Sequence, residues 1–125
     1  MSRGLGDVYK RQYLKWLFFG PSCIEPAIID RAMPRKEEPR RGMLGYGNFD
    51  TVMEVTAKAV AAGPYLLGDR FTAADVVVGS TIRFGITFEV LPKLPEFMAY
   101  IDRLLARPAM QRTLALDEEL AGANA

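Results

Sequence analysis

The stretch Gly63-Pro64-Tyr65-Leu66-Leu67-Gly68-Asp69-Arg70-Phe71-Thr72-Ala73-Ala74-Asp75-Val76 decides how the rest of the chain reads. Gly63-Pro64 stops a preceding helix, because proline cannot continue one and glycine suits the position just past its end. Tyr65 to Arg70 is a short connector with apolar anchors. Thr72 then stands three residues before Asp75, the spacing of a capping box with aspartate where glutamate or glutamine is usual. In that arrangement the Thr72 hydroxyl accepts from the Asp75 amide and the Asp75 carboxylate accepts from the Thr72 amide. Phe71 precedes the cap and Val76 sits at the fourth helical position, placed for a hydrophobic staple. A helix is therefore predicted from Ala73 to about Phe88. Its apolar residues Val76, Val77, Val78, Ile82, Phe84 and Ile86 are spread around the axis, which predicts burial on most sides. Gly79 and Gly85 allow close helix approach, at about 1 kcal/mol each against alanine.

Helical periodicity continues on both sides. Upstream, Asn48 or Asp50 caps a helix whose apolar positions Phe49, Val52, Met53, Val55, Ala59 and Val60 recur mostly at spacings of three and four. Further upstream, Tyr13 to Phe19 is nearly all apolar. A helix there is expected to run to about Gly20, to kink or break where Gly20, Pro21 and Pro26 interrupt it, and to continue through Ile28 and Ile29 to about Met33. Pro34 to Gly47 is a polar loop holding the run Arg35-Lys36-Glu37-Glu38-Pro39-Arg40-Arg41. Downstream, Pro95 opens a helix with the stripe Phe97, Tyr100, Ile101, Leu104 and Leu105. Arg103 and Arg107 lie on its other side, near the end, where cations suit the helix dipole. Pro108 opens a short helix through Leu114, and residues 117–125 are expected to fray. No strand pattern occurs. The fold class is all-α, a bundle of about five helices spanning residues 13–125.

Residues 1–12 fit this frame poorly. Gly4 and Gly6 disfavour helix, and Gly4-Leu5-Gly6-Asp7-Val8-Tyr9-Lys10-Arg11-Gln12 resembles translated adapter sequence at the ends of assembled environmental reads. They are expected to form a non-native or disordered leader.

The 125 residues make one domain, half hydrophobic and one quarter charged. Sixteen basic against fifteen acidic residues leave a net charge of +1, so no strong field draws nucleic acid or an anionic membrane. There is no histidine, which removes the commonest general base and metal ligand and every Ser–His or Cys–His pair within the chain. The single cysteine, Cys23, allows no internal disulfide and no cysteine-based metal site, and it reads as an inert thiol with no adjacent cation. No run approaches the roughly 18 apolar residues of a membrane span, and the residues around Arg3, Lys10 and Arg11 are not expected to act as a secretory signal, since no apolar run accompanies them. The basic run of the loop reads as solvated. A cytoplasmic location is expected.

The connector, cap, staple and helix over Gly63–Val76 together closely resemble the hallmark of the glutathione S-transferase C-terminal domain. Tyr13-Leu14-Lys15-Trp16-Leu17-Phe18-Phe19 resembles the first helix of that domain in bacterial members. Pro95-Glu96-Phe97-Met98-Ala99-Tyr100, followed by Ala106-Arg107-Pro108-Ala109, resembles its closing helices. The resemblance implies a two-domain parent whose N-terminal thioredoxin-like domain binds the cosubstrate glutathione and activates its thiol. The helical domain would then supply the hydrophobic electrophile site and part of a homodimer interface. The pattern of the thioredoxin-like domain is absent here, so no catalytic residue, cofactor or metal is assigned to this chain. Tyr13, Trp16 and Phe19 share one helix face at spacing three. They suit core or subunit contact on residue type alone, and the resemblance makes them candidates for the lining of the electrophile site. Phe71, Thr72, Asp75 and Val76 are assigned to structure. The alternative reading is a stand-alone helical interaction module without catalysis.

Overall fold

The computed structural model describes residues 2–125, which form six α-helices: α1 (Ser2–Phe19), α2 (Glu25–Ala32), α3 (Phe49–Ala61), α4 (Ala73–Thr87), α5 (Pro95–Leu105) and α6 (Pro108–Ala123). A π-helical turn, Gly20–Ile24, joins α1 to α2 without a break, so the bundle consists of five rods as the periodicity predicts. Among the described residues the one bridge of β type closes the turn between Tyr65 and Gly68. The fold is all-α.

The π turn is where the sequence places Gly20 and Pro21. Proline has no amide to donate, and a wider turn absorbs the missing bond, with the Glu25 amide reaching back to the Gly20 carbonyl. Gly20 is buried, and a Cβ there would stand 3.1 Å from Val77 Cγ1. Its lack of a side chain lets the end of α1 lie close against α4.

Helix α4 packs between α1 with the π turn on one side and α5 on the other, while α3 packs against α5 and α2. The core is built from Ile24 and Ile28, Val52 and Val60, Val78 and Ile82, Leu91, Phe97 and Tyr100, most of them wholly buried. Asn48 caps α3 as expected, its Oδ1 accepting from the Thr51 amide at 2.9 Å. Gly85 lies so close to Leu91 that a Cβ would come within 2.5 Å of Leu91 Cγ. A Cβ on Gly79 would overlap Leu104. Both glycines therefore serve close packing, which offsets their low helix propensity.

Several expectations are corrected. Helix α1 begins at Ser2 and runs through Gly4 and Gly6, so of the non-native or disordered leader expected there the disordered form is not what is seen. Extending a helix already anchored near its C-terminal end, where Trp16 is buried, costs little per residue, and Tyr9 gains a cation–π contact from Arg70 at 5.5 Å. Helix α6 continues to Ala123, beyond the expected fraying point at residue 117. Its last turns are mostly alanine, leucine and glutamate, strong helix formers, although none of its residues is buried. Helix α4 is less enclosed than its composition suggests. Val78, Ile82 and Ile86 face the core, but Val76, Phe84 and Phe88 are 52%, 57% and 63% exposed.

Candidate functional site

At the N-terminus of α4 the capping box is present in both halves. The Thr72 hydroxyl accepts from the Ala74 amide at 3.2 Å, and Asp75 Oδ2 accepts from the Thr72 amide at 3.0 Å. The remaining oxygen, Asp75 Oδ1, accepts from the Leu66 amide at 3.0 Å and from the Tyr100 hydroxyl at 2.8 Å. Asp75 is wholly buried, and these three donors satisfy it. One side chain thus pins the connector to α4 and α4 to α5. Burial, and then the bond to Asp75, push the Tyr100 hydroxyl far above the ordinary tyrosine range, so it remains a donor. The cap is legible in the sequence, whereas the Tyr100 bond to Asp75 is not. The available signal is a tyrosine on a buried stripe, whose hydroxyl requires a partner.

The connector is locked further. Gly68 adopts φ 89°, open to glycine, and exchanges two backbone bonds with Tyr65 at 3.0 and 3.1 Å. The staple is a correction in part. Val76 stays more than half exposed and contributes little burial, while the Phe71 ring meets Tyr65 edge-on at 5.5 Å and lies under the Arg107 guanidinium at 3.7 Å. Arg103 lies in the last turn of α5, where its charge suits the dipole as expected, and it also reaches across to another element. Its Nε donates to the Pro64 carbonyl at 3.0 Å and its Nη2 to the Val60 carbonyl at 3.2 Å, so it satisfies the C-terminal end of α3.

Between α1 and the entry to α4 lies a groove of about 420 Å³. Tyr9, Lys10 and Tyr13 form one wall, and Arg70, Phe71, Thr72 and Ala73 the other. Of the three aromatic residues singled out from sequence, only Tyr13 lines it. Trp16 is 6% exposed and belongs to the core, and Phe19 packs against that core and edge-on against Trp16 at 5.0 Å. A spacing of three puts residues on one side of a helix, but over two turns that side rotates from the groove into the interior. Arg70 and Phe71 are the lining residues that periodicity does not reveal, because they reach the groove through the connector. The Tyr9 hydroxyl is closed off from solvent without a hydrogen-bond partner. Two aromatic walls with Arg70 and Lys10 at hand suit an aromatic ligand carrying negative charge or electron-withdrawing groups.

Cys23 is half-buried beside the core, with Ser22 Oγ 3.7 Å from its sulfur. No group of three or more histidine, cysteine, aspartate or glutamate residues among those described could hold a metal ion. No described helix is long and apolar enough to cross a membrane.

Comparison with models of protein families matches residues 36–115 to the family described as "Glutathione S-transferase, C-terminal domain". No curated protein and no solved structure matches the chain significantly. The family match takes in the capping box, Tyr100 and Arg107 and covers well over half of the chain. The all-helical architecture and the buried Asp75 box agree with it, and the chain belongs to the glutathione S-transferase C-terminal domain family.

Proposed function

We propose that this domain forms the electrophile side of a glutathione transferase site, with the groove between α1 and the α4 entry as its binding surface. A thioredoxin-like domain of the same protein would bind glutathione and ionise its thiol, and the domain would contribute to a homodimer contact in the cytoplasm. The observation that carries this reading is the groove itself, with the Tyr13 and Phe71 rings as walls in a chain of this family. In the reaction a thiolate sulfur bonds to an electrophilic carbon and the leaving group departs with the bonding pair. The residues here hold the aromatic ring and exclude water, and Arg70 favours the negative charge that builds up on the ring. Ionising the thiol needs a donor or positive field at the sulfur, which is assigned to the partner domain.

The test is a titration of the pure chain with an S-aryl glutathione conjugate, followed by amide and side-chain NMR shifts. Shifts centred on Tyr13, Arg70 and Phe71, with no conjugating activity from the chain alone, are the expected result. Shifts centred elsewhere, or conjugation above an inactive-protein control, would overturn the assignment.

A further inference from the structure

Phe71 lines the groove, yet what holds its ring comes from the far end of α5. Pro108 keeps the preceding residue extended, and Arg107 accordingly has φ −66° and ψ 136° at the N-cap position of α6, where its side chain makes no capping bond and is free to reach elsewhere. From this junction the Arg107 guanidinium lies 3.7 Å from the centre of the Phe71 ring and 5.5 Å from that of Tyr65. Its Nη1 donates to the Tyr65 hydroxyl at 3.0 Å. Tyr65 in turn meets Phe71 edge-on at 75°. The ring is therefore gripped by a flat cation and by a second ring, and the cation's orientation is set by a hydrogen bond. Arg107 is not among the residues lining the groove.

We propose that Arg107 is a positioning residue for this groove: acting through Phe71, it sets the aromatic wall and so tunes affinity for aromatic anions. This rests on the groove assignment above. A lysine at this position keeps the charge but loses the planar face and the fixed fork of donors, so charge alone does not restore the grip. Tyr65 shares the role through its hydroxyl, which fixes the plane of the guanidinium.

The experiment measures the affinity of the pure chain for anilinonaphthalene sulfonate, an aromatic anion, in buffer where every variant retains its helical circular dichroism. Tyr13→Ala reports on the groove. Arg107→Lys and Arg107→Ala are expected to weaken binding by about threefold to tenfold, the range of one aromatic–cation contact. Tyr65→Phe, which keeps the ring, should weaken it less and in the same direction. Arg103→Ala is the control, since it removes a comparable anchor between α5 and the end of α3 and touches nothing in the groove. It should leave the affinity unchanged. In the wild type the Arg107 Nε proton should be shifted upfield by the ring beneath it, and Phe71→Leu should abolish that shift. Binding that ignores Tyr13→Ala overturns the groove assignment and this inference with it. Binding that responds to Tyr13→Ala but not to the Arg107 variants overturns this inference alone. Equal weakening in Arg103→Ala reduces Arg107 to a structural anchor and also overturns it.

Discussion

Asp75 ties the connector, α4 and α5 together through one carboxylate. A capping aspartate at a helix surface is worth about 1 kcal/mol. Here the same carboxylate also receives a connector amide and a buried hydroxyl, and its removal would orphan all three donors. Asp75→Asn is expected to cost about 2–4 kcal/mol, because the amide nitrogen turns a donor toward groups that are themselves donors. A shift of the urea midpoint measures it, and a midpoint equal to the wild type would remove Asp75 from this role. Tyr100→Phe should cost about 1–2 kcal/mol by the same measurement. It also changes the response to alkali. The folded state holds the Tyr100 hydroxyl protonated, whereas an unfolded tyrosine ionises near pH ~10. The unfolded chain then binds fewer protons, so this contribution is complete below that pH and declines above it, by about 1.4 kcal/mol per pH unit. Tyr100→Phe should flatten the alkaline decline by one proton. Identical slopes would show that Tyr100 does not carry it.

At the scale of elements, close approach to α4 rests on glycine. Adding a methyl group at Gly85 meets the Cβ, Cγ and Cδ1 of Leu91, a buried side chain that cannot swing away as a unit. At Gly79 the severe overlap is with a terminal methyl of the half-buried Leu104, which can change rotamer. Alanine gains about 1 kcal/mol of helix propensity at either position. Gly85→Ala should nonetheless destabilise by about 1–3 kcal/mol. Gly79→Ala should fall within about 1 kcal/mol of the wild type, its overlap and its propensity gain nearly cancelling. Thermal or urea unfolding of the two variants side by side checks the ranking, and a reversed order would mean that Leu91 relaxes more freely than its burial implies. The π turn shows the same economy, since Gly20 permits contact with Val77 while Pro21 dictates the wider helix that follows.

Across the whole molecule, the uncovered part of α4 stands out. Phe84 and Phe88 pair at 4.5 Å on its exposed side, and Val76, two to three turns away, is exposed as well. Apolar groups clustered on the surface of a domain favour contact with another surface. The chain is expected to self-associate with rising concentration in sedimentation velocity, and a Phe84→Ser, Phe88→Ser double variant should sediment more nearly as a monomer. A wild type that stays monomeric at high concentration would speak against a face needing cover and in favour of the stand-alone module. Helix α6, unburied along its length, should contribute little to this association or to stability.

The fold class was legible in sequence because its determinants are local. Helix periods, the Gly63-Pro64 stop, the Asn48 cap and the Thr72–Asp75 spacing each depend on residues within a turn or two of one another. The N-terminal extension of α1 and the length of α6 were misread, because a few exposed helical turns hang on small differences between propensity and fraying. The candidate site was legible at Tyr13 and, in another role, at Phe71 and Thr72. Trp16 shares a helix face with Tyr13 but was taken into the core, and Tyr100 and Arg107 reach Asp75 and Phe71 across 25 and 36 residues of chain. What the sequence determined by itself was which segments become helices and how α4 is capped, through bonds within single elements. The groove, the exposed face of α4 and the partners of Asp75 and Phe71 were decided by tertiary packing, because they depend on how elements distant in the chain are brought against one another.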